Sequence, residues 1–344
     1  MPRRAKTLLP EADRIVVSVN PKAGARSPAD RVARLIRRLA DRGLTATVLD
    51  DLDQVARQAN VLHEQGRLRA LVGVGGDGTA AELVNRTASG VPLVMLPGGN
   101  ENLLARYVGW HRDPDQLDTT LTDGLRVQLD AARAGQRIFL LMIGVGFDAE
   151  VVRQVHAGRT GHIRSRNYVK PILRTIRSYQ YPPLSVYWDQ QVEAQESTQR
   201  GQIHVFGQSP TSTAMPDRPK NGPDPDVVRL LFAFNLPCYG GGLRLARDAD
   251  GTDGQLDVRA FARGSRWHAA RYAVAVLTGR HERLADCLVR RFARMRITSA
   301  DQDVPYQLDG DPGGVLPVDV EVLPERLTLV VPPSFAAGAG FAID

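Results

Sequence analysis

The sequence predicts an α/β chain, with a parallel-sheet domain at the N-terminus and a mostly β domain behind it. Three observations carry this. Strand-like and helix-like runs alternate over residues 14–96, glycine turns follow two of the early strands, and short strand-like runs dominate after about residue 124. Strand–helix alternation implies a parallel sheet covered on both faces. A chain of 344 residues is longer than one compact unit usually holds, so two domains are expected.

Arg14–Val19 reads as a buried strand from its continuous β-branched run. Asn20–Arg26 is a loop, and Ser27-Pro28 forms an N-cap with proline at the first helical position. In the helix that follows, Val32, Leu35, Ile36 and Leu39 share one face. Leu44–Leu49, Ala70–Val74 and Pro92–Leu96 are further strands, alternating with helices at Asp53–Glu64 and Thr79–Ala88. Beyond residue 124, strands are predicted at Leu125–Leu129, Ile138–Val145, Leu184–Trp188, Gln202–Phe206, Val228–Phe234 and Leu256–Phe261, with a helix at Trp267–Leu277. Thr211–Asp226, with four prolines, is a polar loop.

Hydrophobic residues make up 43% of the chain, enough for real cores, which excludes wholesale disorder. Two cysteines, Cys238 and Cys287, exclude a disulfide framework, fit a reducing compartment and read as core fillers. The basic start leads into no apolar run fit for a secretory signal, and no stretch suits a bilayer span. A cytoplasmic chain is expected. The histidines show no metal spacing and are expected as surface or packing residues. The net charge is +6, carried by 40 arginines and four lysines, and Val151–Gln180 holds seven cations and no acid. Such a face can meet anionic headgroups, nucleic acid or a phosphorylated substrate, or be an ordinary solvated face.

The stretch Leu71-Val-Gly-Val-Gly-Gly-Asp-Gly-Thr79 poses the chemical question. It satisfies G-x-G-x-x-G, yet it follows the third strand, and the next strand ends in Pro97-Gly-Gly-Asn100 with no acid for a ribose. That context excludes the dinucleotide fingerprint, and no Walker pattern occurs. Gly75, Gly76 and Gly78 let backbone amides approach an oxyanion, and the helix begun by Thr79 adds its positive end. Asp77 would repel a phosphate unless Mg²⁺ stood between them. The alternative is a tight βα turn with an aspartate cap. A second turn, Gly98-Gly-Asn-Glu-Asn102, stands at the same sheet edge, and the loop after the first strand brings Lys22 and Arg26 there. Three loops, two cations and one acid at one edge describe a polyphosphate site.

These residues carry a resemblance. Asn20-Pro-x-x-Gly24, Gly75-Gly-Asp-Gly-Thr-x-x-Glu82-x-x-Asn85 and Pro97-x-Gly-Asn-x-Asn102-x-x-Ala105-Arg106 resemble the motifs of the diacylglycerol kinase and sphingoid-base kinase family. The likeness continues through Leu129-Asp130, Gly144-x-Gly-Phe-Asp148-Ala149, Gly240-Gly-Gly242, Asp253-Gly-x-Leu-Asp257 and Leu308-Asp-Gly-Asp311. It implies an ATP-binding α/β domain at 1–123, a β-sandwich acceptor domain at 124–324, return of 325–344 to the first domain, and an active site in the cleft between them. It places Asn20, Lys22, Gly24, Arg26, Gly75, Gly76, Asp77, Gly78, Thr79, Gly98, Gly99, Asn100 and Asn102 at ATP. Asp77 and Asp130 then share a catalytic Mg²⁺ network, Asp311 is the general base, and Asp253, with the carbonyls of Asp250 and Gln255, anchors a structural Mg²⁺. Phosphoryl transfer needs such a positioned base and such cations.

Three positions depart from the pattern. Asn100 stands where the family usually has Thr, Leu103 where bacterial diacylglycerol kinases usually have Asp, and Asp311 where Glu is usual. Leu103 removes one contact to a metal network and leaves the acceptor open. An ATP-dependent lipid kinase is the leading expectation. An NAD kinase-like enzyme and a decayed nucleotide- or lipid-binding regulator are the alternatives. The expected partners are a lipid substrate and a transient membrane surface, without nucleic acid; a homodimer stays open. Val169, Ile172, Leu173 and Ile176, ringed by Lys170, Arg174 and Arg177, read either as an amphipathic helix resting on a membrane or as a helix packed on the sandwich.

Overall fold

A computed structural model describes residues 3–19, 29–157, 169–188, 224–301 and 303–343. The expected strand Gln202–Phe206, nearly all of the Thr211–Asp226 loop, and the Asn20–Pro28 loop with its cap lie outside the described residues.

After a short β1 (Arg4–Thr7), the first domain alternates as its sequence requires: β2 (Arg14–Val19), α1 (Ala29–Asp41), β3 (Thr45–Leu49), α2 (Leu52–Glu64), β4 (Leu68–Gly75), α3 (Asp77–Arg86) and β5 (Leu93–Pro97). The strands run parallel in the order β3-β2-β4-β5. Helices cover both faces, so β4 and β5 are apolar and buried almost throughout rather than alternating. On α1, Val32, Leu35 and Leu39 are the buried stripe, each stabilising by about 1.5–3 kcal/mol. Asp51 caps α2 by accepting from the Gln54 amide at 2.8 Å. Two further helices follow, α4 (Leu103–Val108) and α5 (Pro114–Asp123), the latter capped by Asp113 with proline in its first turn.

The second domain is a sandwich. Strands β6 (Leu125–Ala134), β7 (Arg137–Phe139), β9 (Leu184–Trp188), β10 (Asp226–Val228), β14 (Arg294–Thr298) and β17 (Val318–Val331) extend the first sheet. A separate antiparallel sheet of six faces them, built from β8 (Met142–Val145), β11 (Leu230–Phe234), β12 (Leu256–Phe261), β13 (Cys287–Phe292), β15 (Pro305–Leu308) and β16 (Asp311–Val315). Side chains from both layers, among them Phe139, Ile143, Leu184, Leu231, Val258, Met295 and Val320, meet in one core. Helices α6 (Phe147–Ala157), α7 (Val169–Ser178) and α8 (Arg266–Leu277) lie outside it, and α9 (Pro333–Gly338) leads to β18 (Ala342–Ile343), which pairs with β1.

Two strands cross between the domains. Leu323 of β17 stands opposite Ala131 of β6, but the next partners are Leu327 and Leu129, so Pro324–Arg326 bulge out opposite Asp130. Glu325 sits at φ 53° in this bulge, and Asp130 Oδ1 accepts from its amide at 2.8 Å. The expected boundary at residue 124 falls just before β6, and β6 runs on past Asp130, opposite the bulge, to Ala134.

Two expected strands divide, for visible reasons. Ile138–Val145 breaks into β7 and β8 because the amides of Leu140 and Leu141 turn to the Asp309 carboxylate instead of a ladder, at 2.7 and 2.8 Å. Val228–Phe234 divides at Arg229, since β10 pairs with β9 in one layer and β11 with β8 in the other. Strands β13 and β14 escape a hydrophobicity pattern because arginines 290, 291, 294 and 296 interrupt it.

Candidate active site

The glycine turns after β4 and β5 lie backbone against backbone. The Gly98 amide donates to the Gly75 carbonyl at 2.8 Å, and a Cβ on Gly99 would stand 2.9 Å from Gly76 Cα. Gly76 caps α3 with no side-chain hydrogen bond, which leaves the amide end of the helix to the cleft. Thr79 packs under Gly75, where an added Cβ would fall 2.2 Å from its Oγ1. Asn102, buried at φ 47°, accepts from the Gly99 amide at 2.9 Å and donates to the Gly99 carbonyl at 2.7 Å, so it shapes the second turn. Gly75, Gly76, Gly78, Thr79, Gly98, Gly99, Asn100 and Asn102 thus come together. Asn20, Lys22, Gly24 and Arg26 lie outside the described residues.

Two cations absent from the expected set reach the same edge. Arg31 of α1 donates to the Pro97 carbonyl at 3.0 Å, and Arg112 donates to the Gly99 carbonyl at 2.8 Å. Beside the second turn a cavity of about 260 Å³ is lined by Asn100, Glu101, Arg106, Trp110 and His111 together with Arg112. Substituting Gly99 by alanine is expected to push the two turns apart, because backbone on one side and Asn102 on the other leave no room. A rise of about tenfold or more in KM for ATP, measured by steady-state kinetics, is the expected outcome.

Asp77 takes a different posture from the one expected. Its carboxylate accepts from the amides of Leu103 at 2.9 Å and Leu104 at 3.0 Å, capping α4 from a neighbouring helix. Burial pushes its carboxyl above the ordinary range, against the pull of those amides. Leu103, at the position of the missing family acid, packs its side chain against the core. Asp130 is not linked to Asp77 by any hydrogen bond or ion pair among the described residues. Its other oxygen accepts from the Gly254 amide at 2.8 Å, so the carboxylate staples the β17 bulge to the Asp250–Gln255 loop. Bulge and loop amides thus each take one lone pair of an Asp130 oxygen, and a Mg²⁺ network shared with Asp77 would use what remains.

The acid that feels Asp77 is Asp309. It accepts from the amides of Leu140, Leu141 and Met142, the last at 3.0 Å, and burial, with the charge of Asp77 adding to it, pushes its carboxyl up to about 6. A carboxyl raised above its unfolded value of 3.8 favours the folded state fully below that value. This stabilisation is lost as pH climbs through about 6, at about 1.4 kcal/mol per unit, or about 3 kcal/mol in all. Asp309→Asn is expected to flatten the dependence of the urea midpoint on pH between about 4 and 6.5; a variant with the parental slope assigns that slope to other carboxyls.

Asp311 enters from the sandwich and completes the cleft. A Cβ on Gly78 would stand 3.0 Å from its Oδ2, and His156 Nε2 at the end of α6 lies 3.5 Å from its Oδ1. The turn that carries it is braced from below. Gln307 accepts from the Gly310 amide at 2.7 Å and donates to Asp148 at 2.8 Å, and Asp148 in turn accepts from Tyr239. His156, expected as a packing residue, is thus a neighbour of the candidate base. Its signal was only its position in the chain, eight residues after Asp148. Asn85 accepts from the Ile138 amide and donates to its carbonyl, both at 2.8 Å, tying α3 to the second domain, while Glu82 pairs with Arg86.

The Asp250–Gln255 loop is closed by its own bonds. Asp250 accepts from the Thr252 amide at 3.1 Å and pairs with Arg3, and Asp253 accepts from the Gln255 amide at 3.0 Å. Burial raises the Asp253 carboxyl, and the charges of Asp250 and Asp257 raise it further. Among the described residues no three His, Cys, Asp or Glu side chains converge as a metal-holding group. No described helix is long and apolar enough to cross a membrane.

Comparison with known proteins agrees with this geometry. The diacylglycerol kinase catalytic domain matches residues 14–134, and the YegS C-terminal NAD kinase beta sandwich-like domain matches residues 141–331. A Mycobacterium tuberculosis diacylglycerol kinase is 23% identical over 332 residues, covering 94% of this chain and 96% of its own. One from Bacillus subtilis is 21% identical over 322 residues, covering 91% and 94%. A solved structure of a proposed diacylglycerol kinase from Bacillus anthracis shares the fold with a TM-score of 0.67 at 18% identity, over 95% of this chain and 99% of its own. Two glycine turns at one sheet edge, an acid facing them from a sandwich, and both domain models in order place the chain in the diacylglycerol kinase-like family of lipid kinases.

Proposed function

We propose that the protein transfers the γ-phosphoryl group of ATP to a hydroxyl of a lipid such as a diacylglycerol or a sphingoid base. The observation that carries this is the meeting of Asp311 with Gly78: a carboxylate from the second domain stands against the amide-rich turn where a terminal phosphate would lie. In this reading Asp311 takes the proton of the acceptor hydroxyl, the freed oxygen attacks the γ-phosphorus, and ADP leaves. His156, 3.5 Å away, steadies the carboxylate that receives the proton. The turns at Gly76 and Gly99 fit a polyphosphate, since their closest approaches leave no space for a side chain.

Mg²⁺, when bound with ATP, supplies neutralising charge over the transferring group, and Asp77 is the acid that would hold it. A second Mg²⁺ would be held by Asp253 with the carbonyls of Asp250 and Gln255, where the repulsion among Asp250, Asp253 and Asp257 is the kind a cation relieves. With labelled ATP, the acceptor screen comprises diacylglycerol, sphingosine, ceramide, monoacylglycerol and NAD. Label in a lipid product is the expected result. Label in NAD alone would replace the lipid reading with a soluble-acceptor one, and no transfer to any of them would leave a binding protein.

A further inference from the structure

Helix α8 is apolar on both sides. Its inward face buries Ala269, Tyr272 and Ala275, with Tyr272 stacked on Phe261 at 4.3 Å between centroids. Its outward ridge carries Trp267 at 74%, Val274 at 60% and Leu277 at 71% exposure. These positions, seven and three residues apart with Ala270 between, form one line along the helix. A helix that meets only water shows a charged ridge there, and a contiguous exposed apolar line marks an interaction surface. Helix α7 packs beside it and adds Leu173, 53% exposed.

The two helices carry charge of one sign, and Glu282 in the turn packed against α8 is paired with Arg259. Neither helix contains an acid. Lys170, Arg174 and Arg177 are exposed on α7, and the Arg266 guanidinium lies 5.6 Å over the Trp267 ring. The nearby Asp286 is already held by Arg271 and Tyr272. The segment expected as either a membrane helix or a packed one packs through Thr175 and Ile176, which face inward, and leaves Leu173 and the cations facing out.

We propose that α7 and α8 together dock on an anionic lipid surface, with Trp267, Val274 and Leu277 entering the boundary between headgroups and acyl chains and the cations engaging phosphates. Indole and aliphatic side chains ringed by Arg and Lys suit that boundary. A second copy fits worse, because a two-fold contact sets each cationic helix against its own kind. The proposal rests on the lipid-kinase reading and gives it an approach: α7 packs on α6, whose His156 lies beside Asp311, so the docking face adjoins a helix that borders the cleft.

The test uses the full chain and phosphatidylcholine vesicles with or without phosphatidylglycerol, containing no acceptor lipid. Binding is expected to need the anionic lipid and to fall as salt rises. Of the three tryptophans, Trp110 is buried and Trp188 half-buried, so brominated lipid is expected to quench Trp267. The pair Trp267→Ser and Leu277→Ser is expected to weaken partitioning by about tenfold or more. The pair Arg174→Glu and Arg177→Glu is expected to remove the anionic preference, and both pairs are expected to melt like the parent and to retain turnover on acceptor dispersed in detergent. Wild-type chain that ignores anionic vesicles, or binding untouched by either pair, overturns the proposal. So does a wild-type dimer in sedimentation equilibrium that Trp267→Ser disperses, which would assign the ridge to a second copy. Docking without phosphorylation of any detergent-dispersed lipid supports the surface and counts against the kinase reading alone.

Discussion

Replacing Asp311 by asparagine is expected to lower kcat by about two to four orders of magnitude while leaving KM for ATP nearly unchanged, the range a general base contributes. Asparagine keeps the size of the side chain and its contacts with Gly78 and His156 but cannot accept the proton. The side chain is 42% exposed and bridges no buried amides among the described residues, so the fold is expected to survive, with a parental melting curve as the control. The informative quantity is the split between the two constants. A variant impaired mainly in ATP affinity would move Asp311 to the nucleotide and leave the proton without a carrier.

Removing the Asp77 carboxylate is expected to act on fold and turnover together. Alanine leaves the amides of Leu103 and Leu104 without their acceptor, at about 1–3 kcal/mol for each unsatisfied group. A lower urea midpoint and a loosened second glycine turn are expected, since that turn feeds directly into α4. Asn keeps one acceptor oxygen and is expected to recover part of the stability but not the negative charge. If turnover depends on that charge, Asp77→Asn stays impaired while its stability improves on the alanine variant. An alanine variant with parental stability and more than about a tenth of parental turnover, a barrier change under about 1.4 kcal/mol, would remove both roles.

The first domain was readable from its sequence because parallel strands buried on both faces are continuous apolar runs, and β2 has the bounds its run predicts. The meeting of the glycine turns was readable from their shared sheet edge, since three glycines and an acid behind one strand fit a capped βα turn equally well. What stayed hidden depends on chain crossings. Asp309 is one letter in a turn until its carboxylate is seen on three amides 167–169 residues away. Arg31 sits within an ordinary basic helix, and His156 becomes interesting only once β16 brings Asp311 to it. Asp130 was legible as an important acid, but its bond to a bulge 195 residues downstream cannot be seen from its own strand.

That bulge decides how the cleft can move. Hinge closure needs a few residues free to absorb a large change in backbone angle. Strands β6 and β17 both traverse the junction, remain laddered to each other on either side of it, and have their one irregularity clamped by Asp130. The two walls of the cleft therefore share a stiff spine, and a jaw that swings about this junction has no pivot. On the proposed function, nucleotide and acceptor are expected to meet by adjustment of loops and side chains over a fixed frame, and the two domains are expected to melt in a single cooperative transition.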